Sequence, residues 1–230
     1  MADWEIDETI LDGLIDANDG LSASAGIFSF GTLSTTDRAL GSITQSLVEP
    51  MLYGLLFENL NAYAITSLTI QYTGEQWRFG GSITDELVLE YRLGGSGISG
   101  GTWTAVNALK FTSPITTGTV GNLDGNSNAN KTTLTSTIIV SIPQGQTIWI
   151  RWRDQYSGTN DNGLAIDDLI ITPNAEISGP LSSLDVNGKV TLSGNTTISG
   201  TTTFIDGNSR IDIGSNTLTC LLYTSDAADE

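Results

Sequence analysis

The sequence predicts an all-β chain: an antiparallel jelly-roll β-sandwich followed by a shorter β-solenoid-like or extended strand segment. Three observations predict it. Short runs alternate apolar and polar residues with the period of two that turns one side of a strand toward a core. Gly, Ser, Thr and Asn punctuate those runs, with Gly alone occurring 26 times, a texture that favours strands and tight turns. No segment carries a strong helical amphipathic stripe. Eight or more short strands over residues 20–172, separated by turn residues, make an antiparallel sandwich of the jelly-roll type the expected packing.

The elements follow in order. Residues 27–31 (IFSFG) and 39–47 (ALGSITQSL) read as early strands around a TDR turn. Residues 51–60 (MLYGLLFENL) form an apolar run that fits strand or helix by periodicity. A strand is expected there because the next segment, 65–73 (ITSLTIQYT), alternates cleanly. In that segment Leu68, Ile70 and Tyr72 share one face, and Thr69, Gln71 and Thr73 the other. In 87–93 (LVLEYRL), Leu87, Leu89, Tyr91 and Leu93 are expected inward, and Val88, Glu90 and Arg92 outward. GGSGISGG then reads as a flexible loop. Residues 103–111 and 134–142 supply further strands around the loop LDGNSNANK, and 148–152 and 164–172 close the sandwich. Residues 173–180 (PNAEISGP) open an expected linker that extends to 186. Beyond it, 187–219 contains short strands punctuated by NG, SG, DG and GS. Its core formers are Val190, Leu192, Ile198, Phe204, Ile211, Ile213 and Leu218, the pattern of stacked solenoid rungs or of a Thr/Ser-rich extended linker.

Composition bounds the function. The chain has 230 residues, 26 acidic against 9 basic, for a net charge of −17. Such a surface repels nucleic-acid phosphates, so no nucleic-acid partner is expected, and acidity suits cation binding. There is no histidine, which excludes imidazole metal sites and His-based catalytic triads. The single cysteine, Cys220, permits no disulfide within the chain. No apolar run is long enough for a transmembrane helix, and MADWEIDETILDG lacks the features of a signal peptide. The stretch 220–230 (CLLYTSDAADE) breaks the preceding Thr/Asn/Gly style and resembles a translated sequencing adapter. A fragment of a longer protein is the expected origin.

Candidate chemistry concentrates in 146–172, QTIWIRWRDQYSGTNDNGLAIDDLIIT. Alternation puts Ile148, Ile150 and Trp152 on one face and Trp149, Arg151 and Arg153 on the other. Two arrangements suit the second face. An open Trp149 could stack on a sugar ring while Arg151 and Arg153 reach its hydroxyl groups. Alternatively, a loop covers Trp149 and the arginines pair with carboxylates. Asp154, Asp161 and Asp167 are the candidate calcium ligands, because calcium takes six to eight oxygens, largely from loops. Asp167 and Asp168 point to opposite faces, so they cannot act as one pair; Asp168 is expected to pair with Arg78 or Arg38. Glu75 lacks a partner for glycoside hydrolysis and is expected to pair with Arg78 at a strand end. DGNSNAN (124–130) opens like a calcium loop but has Ala129 at the sixth position and Thr135 at the twelfth, so a polar turn is expected. DANDG (16–20) reads as a turn as well.

Taken together, DRALGS (37–42), YTGEQWR (72–78), SGGTWTAV (99–106) and GLAIDDLIIT (163–172) resemble a jelly-roll module family of large secreted or surface bacterial proteins. The resemblance spans roughly residues 4–172. It implies a non-catalytic extracellular binding or adhesion module, covalently continuous with other domains, with a polysaccharide or surface polymer as partner. The alternatives are a structural spacer, or an accessory module of a secreted hydrolase or nuclease. The segment 187–219 resembles the solenoid repeats of bacterial surface adhesins.

Overall fold

The fold comes from a computed structural model. It describes residues 4–220, except 9, 10, 12, 82, 83, 159, 160, 187 and 206. The adapter-like stretch lies outside the described residues from 221 onward. The strands in chain order are β1 (Trp4–Asp7), β2 (Ile15–Asn18), β3 (Gly26–Phe30), β4 (Ala39–Ile43), β5 (Met51–Glu58) and β6 (Ile65–Phe79). They continue with β7 (Glu86–Leu93), β8 (Thr104–Ala105), β9 (Phe111–Thr112), β10 (Gly121–Asn122), β11 (Lys131–Ile142) and β12 (Thr147–Asp154). The last are β13 (Gly163–Leu181), β14 (Leu184–Val186), β15 (Lys189–Ile198), β16 (Thr202–Phe204), β17 (Arg210–Asp212) and β18 (Leu218–Cys220). Among the described residues the helical structure is a single 3-10 turn, Asn107–Leu109. The chain is an all-β jelly-roll sandwich followed by short strands.

Two compact units divide it. The first draws on Met1–Phe57, Gln71–Ser136 and Ile148–Ile170, and the second on Glu58–Ile70, Thr137–Thr147 and Ile171–Glu230.

In the first unit, one sheet runs β1-β5-β12-β7-β8 with β9 also on β7; the other contains β10-β6-β13-β4-β3-β2 with β11 on β6. Most of the pairing is antiparallel; β2 and β3 are parallel. The alternation read from sequence sets the core. Ile148, Ile150 and Trp152 of β12 are buried, as are Tyr72 of β6 and Leu87 and Leu89 of β7; Leu68 and Ile70 of β6, which fall in the second unit, are buried as well. The β7 pattern frays at its end, where Leu93 is exposed. Trp152 lies at the centre: its ring is 5.5 Å from Tyr72 on the facing sheet, 6.3 Å from Tyr53 and 5.9 Å from Trp4. Gly54 lets β5 approach β12 closely, since a Cβ there would lie 2.4 Å from the Ile150 carbonyl oxygen. A separate apolar cluster joins Phe28, Phe30, Ala39, Ile43, Trp77 and Ala165.

The structure differs from expectation at two segments. Residues 103–111 are not one strand. The backbone turns between Val106 and Lys110, with the Leu109 N–H donating to the Val106 carbonyl, which buries Leu109. The Tyr72 hydroxyl secures the turn by donating to the Leu109 carbonyl at 2.5 Å. The expected linker is also strand: β13 continues to Leu181, and Ala175 and Ile177 pair in parallel with Val190 and Leu192. The reason is burial. Ala175, Ile177, Leu184, Val186, Val190, Leu192 and Ile198 form the core of the second unit, with Tyr63, Leu181, Ile211 and Leu218 packed on it. Its ladders are parallel: β13 on β15, β15 on β17 and β18, β14 on β16. Each inward side chain therefore stacks over the equivalent position of the next strand, as in Ala175, Val190 and Ile211.

Candidate functional site

The outward face of β12 is a packed network. Trp149 is 5% exposed and lies in an apolar cluster with Leu52 and Ile98, against which Trp103 packs. Its indole N–H donates to the Gly95 carbonyl at 3.3 Å. The cover is the glycine-rich loop after β7, so Trp149 offers no open ring face. Arg151 is buried too. Its guanidinium donates twice to Glu90 Oε2, at 2.8 and 2.6 Å, bonds the Ile98 carbonyl, and lies 3.8 Å from the centroid of the Trp103 ring. Arg153, half-buried, reaches the other oxygen of Glu90 at 3.2 Å. Arg92 contacts the Trp103 ring at 4.7 Å and binds loop carbonyls, including Gly97 O at 2.7 Å. Glu90 faces away from the sandwich core as alternation requires, yet the loop and two arginines enclose it.

The expected Glu75–Arg78 pair does not form. Glu75 Oε2 accepts from the Trp77 indole N–H at 2.8 Å, while Arg78 Nη1 donates to the carbonyls of Gly20 and Leu21 at 2.9 and 3.0 Å. Strand residues an odd number of positions apart, as these are at three, face opposite sides, which keeps the two apart. Asp168 reaches neither Arg78 nor Arg38; it accepts from the Thr73 hydroxyl at 3.4 Å. Its backbone has φ 52°, interrupting the pleat just beyond Ile166, the last residue paired to β4. Arg38 instead bonds the Ser29 hydroxyl at 3.0 Å and the Ser29 carbonyl.

Burial pushes the Glu75 carboxyl up from 4.5 to about 7, opposed by the Trp77 bond; Asp167 raises it further, Lys131 lowers it and Asp37 raises it. Between those pH values, about 4.5 and 7, the unfolded chain releases this proton while the folded chain keeps it. Glu75 therefore lowers stability as pH rises through that window. Glu75→Gln retains an acceptor for Trp77 and removes the charge. It should match the native chain at pH 4 and exceed its denaturant midpoint at pH 8, which urea unfolding at both pH values checks.

The acidic candidates divide. Asp154 and Asp161 converge, but their third partner is Asp85, not Asp167. Carboxylate oxygens of Asp85, Asp154 and Asp161 all lie within 4.8 Å of one another. The three residues are 1%, 0% and 5% exposed. Asp167 instead accepts from the Asp168 backbone N–H at 2.7 Å. The Ser42 hydroxyl donates to Asp154 Oδ2 at 2.6 Å, the Ser157 hydroxyl to Asp161 Oδ1 at 2.6 Å, and the Thr44 hydroxyl to Asp161 Oδ2. Burial, then the charge of its neighbours, raises Asp85 and Asp154 above the ordinary carboxylate range; burial raises Asp161. A buried cluster of this kind could hold a metal ion. Sequence reading missed Asp85 because it precedes β7, far along the chain from the other two, and no spacing signals it.

Asp161 also lines a cleft of about 260 Å³ with Ala23, Thr44, Gln45, Ser46, Arg78 and Tyr156. The Gln45 amide donates to the Ala23 carbonyl at 3.2 Å, and Arg78 Nε is buried with no hydrogen-bond partner.

No protein-family model matches the chain, and no characterised relative matches it in sequence. Solved structures resemble it weakly. The enzymatically active domain of bacteriophage CBA120 tailspike protein 4 is 10% identical over 74% of this chain, with a TM-score of 0.38. This chain spans only 19% of that domain. The N-terminal cellulose-binding domain of Cellulomonas fimi β-1,4-glucanase C is 14% identical, covering 74% of this chain and 88% of its own, with a TM-score of 0.33. TmCBM61, solved with β-1,4-galactotriose, is 12% identical, covering 61% and 73%, with a TM-score of 0.31. Likeness at this level carries no functional conclusion.

Proposed function

We propose that the chain is a non-catalytic polysaccharide-binding module, and that the cleft of Gln45, Arg78, Tyr156 and Asp161 receives the polymer. The observation that carries this reading is the cleft's chemistry. It sets the Gln45 amide beside the Tyr156 ring, with the Arg78 guanidinium and the Asp161 carboxylate in the wall, the polar groups and stacking surface that sugar hydroxyls and ring faces need. Its volume falls below the roughly 300 Å³ of drug-sized pockets, which suits one sugar unit at the end or branch of a chain. Of the converging carboxylates only Asp161 borders the cleft, and Asp85 and Asp154 lie beneath it, whereas a glycosidase needs its pair at the scissile bond. Trp149, Arg151 and Arg153 are in this reading the frame that holds the covering loop. The oxygen-only donor set of Asp85, Asp154 and Asp161 makes calcium the fitting cofactor.

The parent is a larger secreted or cell-surface protein, and the parallel ladders of the second unit are the first coils of a β-solenoid within it. The described residues include no helix long and apolar enough to cross a membrane. The cover over Trp149 favours a second reading, a structural spacer. Affinity electrophoresis against a panel of plant, fungal and bacterial polysaccharides separates the two. Retention on at least one polymer is expected, with Tyr156→Ala and Gln45→Ala weakening it about tenfold while the unfolding free energy stays within about 0.5 kcal/mol of native. Migration unaffected by every polymer would leave the spacer.

A further inference from the structure

The carboxylates of Asp85, Asp154 and Asp161 occur in a part of the sandwich where no Lys or Arg among the described residues forms an ion pair with any of them. Hydrogen bonding does not complete them. Asp85 Oδ2 and Asp154 Oδ1 are buried with no partner. A third unpartnered oxygen belongs to another strand: the Tyr53 hydroxyl of β5, on a residue 0% exposed. Burial, then the charge of Asp154 beside it, pushes its phenol well above its ordinary value, with Ser42 opposing the rise and Asp85 adding to it. Buried polar atoms without partners are rare, and each one calls for an unseen ion, water or proton. The three carboxylates, two of them with an unpartnered oxygen, form a pure oxygen donor set.

We infer that Asp85, Asp154 and Asp161 form a divalent-cation centre that takes a hard ion of the calcium class. Carboxylate and hydroxyl donors without thiolate or imidazole suit calcium, magnesium or manganese rather than zinc or copper. The ion offsets the mutual repulsion of the three acids and satisfies the orphaned oxygens; waters and hydroxyl oxygens complete its shell. It also acts on the cleft. Asp161 is held by Thr44 from one segment of the cleft wall and by Ser157 from another, so an ion that fixes Asp161 fixes both. Polymer retention is therefore calcium-dependent. That consequence rests on the polysaccharide reading of the cleft; the metal centre does not.

The test uses the full chain stripped with chelator at pH 7.5. Calcium is titrated by calorimetry, terbium by tryptophan-sensitised luminescence, and melting is followed with and without 5 mM calcium. One saturable site per chain and a melting rise of about 5 °C or more are expected. Asp85→Asn should abolish the rise and yet melt above the native chain in chelator, because it removes one of three crowded charges. Asp161→Asn should behave alike. No binding of calcium, magnesium or manganese and an unchanged melt would overturn the centre and leave a set of carboxyls sharing protons. Polymer retention is then compared with and without calcium. Loss of retention in chelator supports the coupling, and equal retention in a chain that binds calcium refutes it. Calcium binding without retention in either buffer would reject the polysaccharide reading and leave the metal centre standing.

Discussion

Replacing Arg151 with methionine is expected to destabilise the chain by about 3–5 kcal/mol, the cost of leaving a buried carboxylate without its partner. Glu90 accepts two hydrogen bonds from Arg151 and one from Arg153, and the loop above it admits little water. Arg153 alone, half-buried and shared with Gln155, cannot offset the loss. The melting temperature should fall by roughly 10 °C. The double variant Arg151→Met/Glu90→Leu should recover most of the stability, since replacing both members of a buried pair by apolar side chains is often close to neutral. A double-mutant cycle by urea unfolding measures this. A single variant within 1 kcal/mol of native would show that the pair is solvated.

The second large effect is in the core. Trp152→Ala should cost about 3–5 kcal/mol, the range for truncating a buried large aromatic. Trp152 is 0% exposed and is surrounded by the rings of Trp4, Tyr53 and Tyr72. These belong to strands of both sheets, so the cavity would open where the sheets pack and could not close by moving one side chain. Trp152→Phe, which keeps a ring against Tyr72, should cost less than half as much. Denaturant midpoints that shift without a change in slope would assign the loss to the folded state.

The fate of individual residues shows what could be read in advance. Ile148, Ile150 and Trp152 were legible as a core face because alternation is a property of the strand itself. So were Leu68, Ile70 and Tyr72. Trp149 was legible only as outward-facing. What covers it comes from residues 94–103, joined by contacts such as Trp149 to Gly95 and Arg151 to Ile98 across more than fifty positions. The Glu75–Arg78 pair was expected from proximity along the chain, but on a strand that spacing points the two side chains apart. Asp154 and Asp161 were legible as candidates for one centre. The carboxylate that converges with them is Asp85 rather than Asp167, and Asp85 carried no local sign.

The sequence by itself determined that this protein is all-β, which faces of its strands turn inward, and that its chemistry is oxygen-rich and free of histidine. Those follow from side-chain period, turn residues and composition, which are local or global properties of the chain. Only the tertiary structure decided that Trp149 is roofed, that Glu90 is enclosed by arginines, that Asp85 joins Asp154 and Asp161, and that the segment after Thr172 pairs as strand. Each of these depends on which distant elements become neighbours. Sheet order sets that, and it is fixed by the joint burial of many side chains rather than by any one stretch of residues.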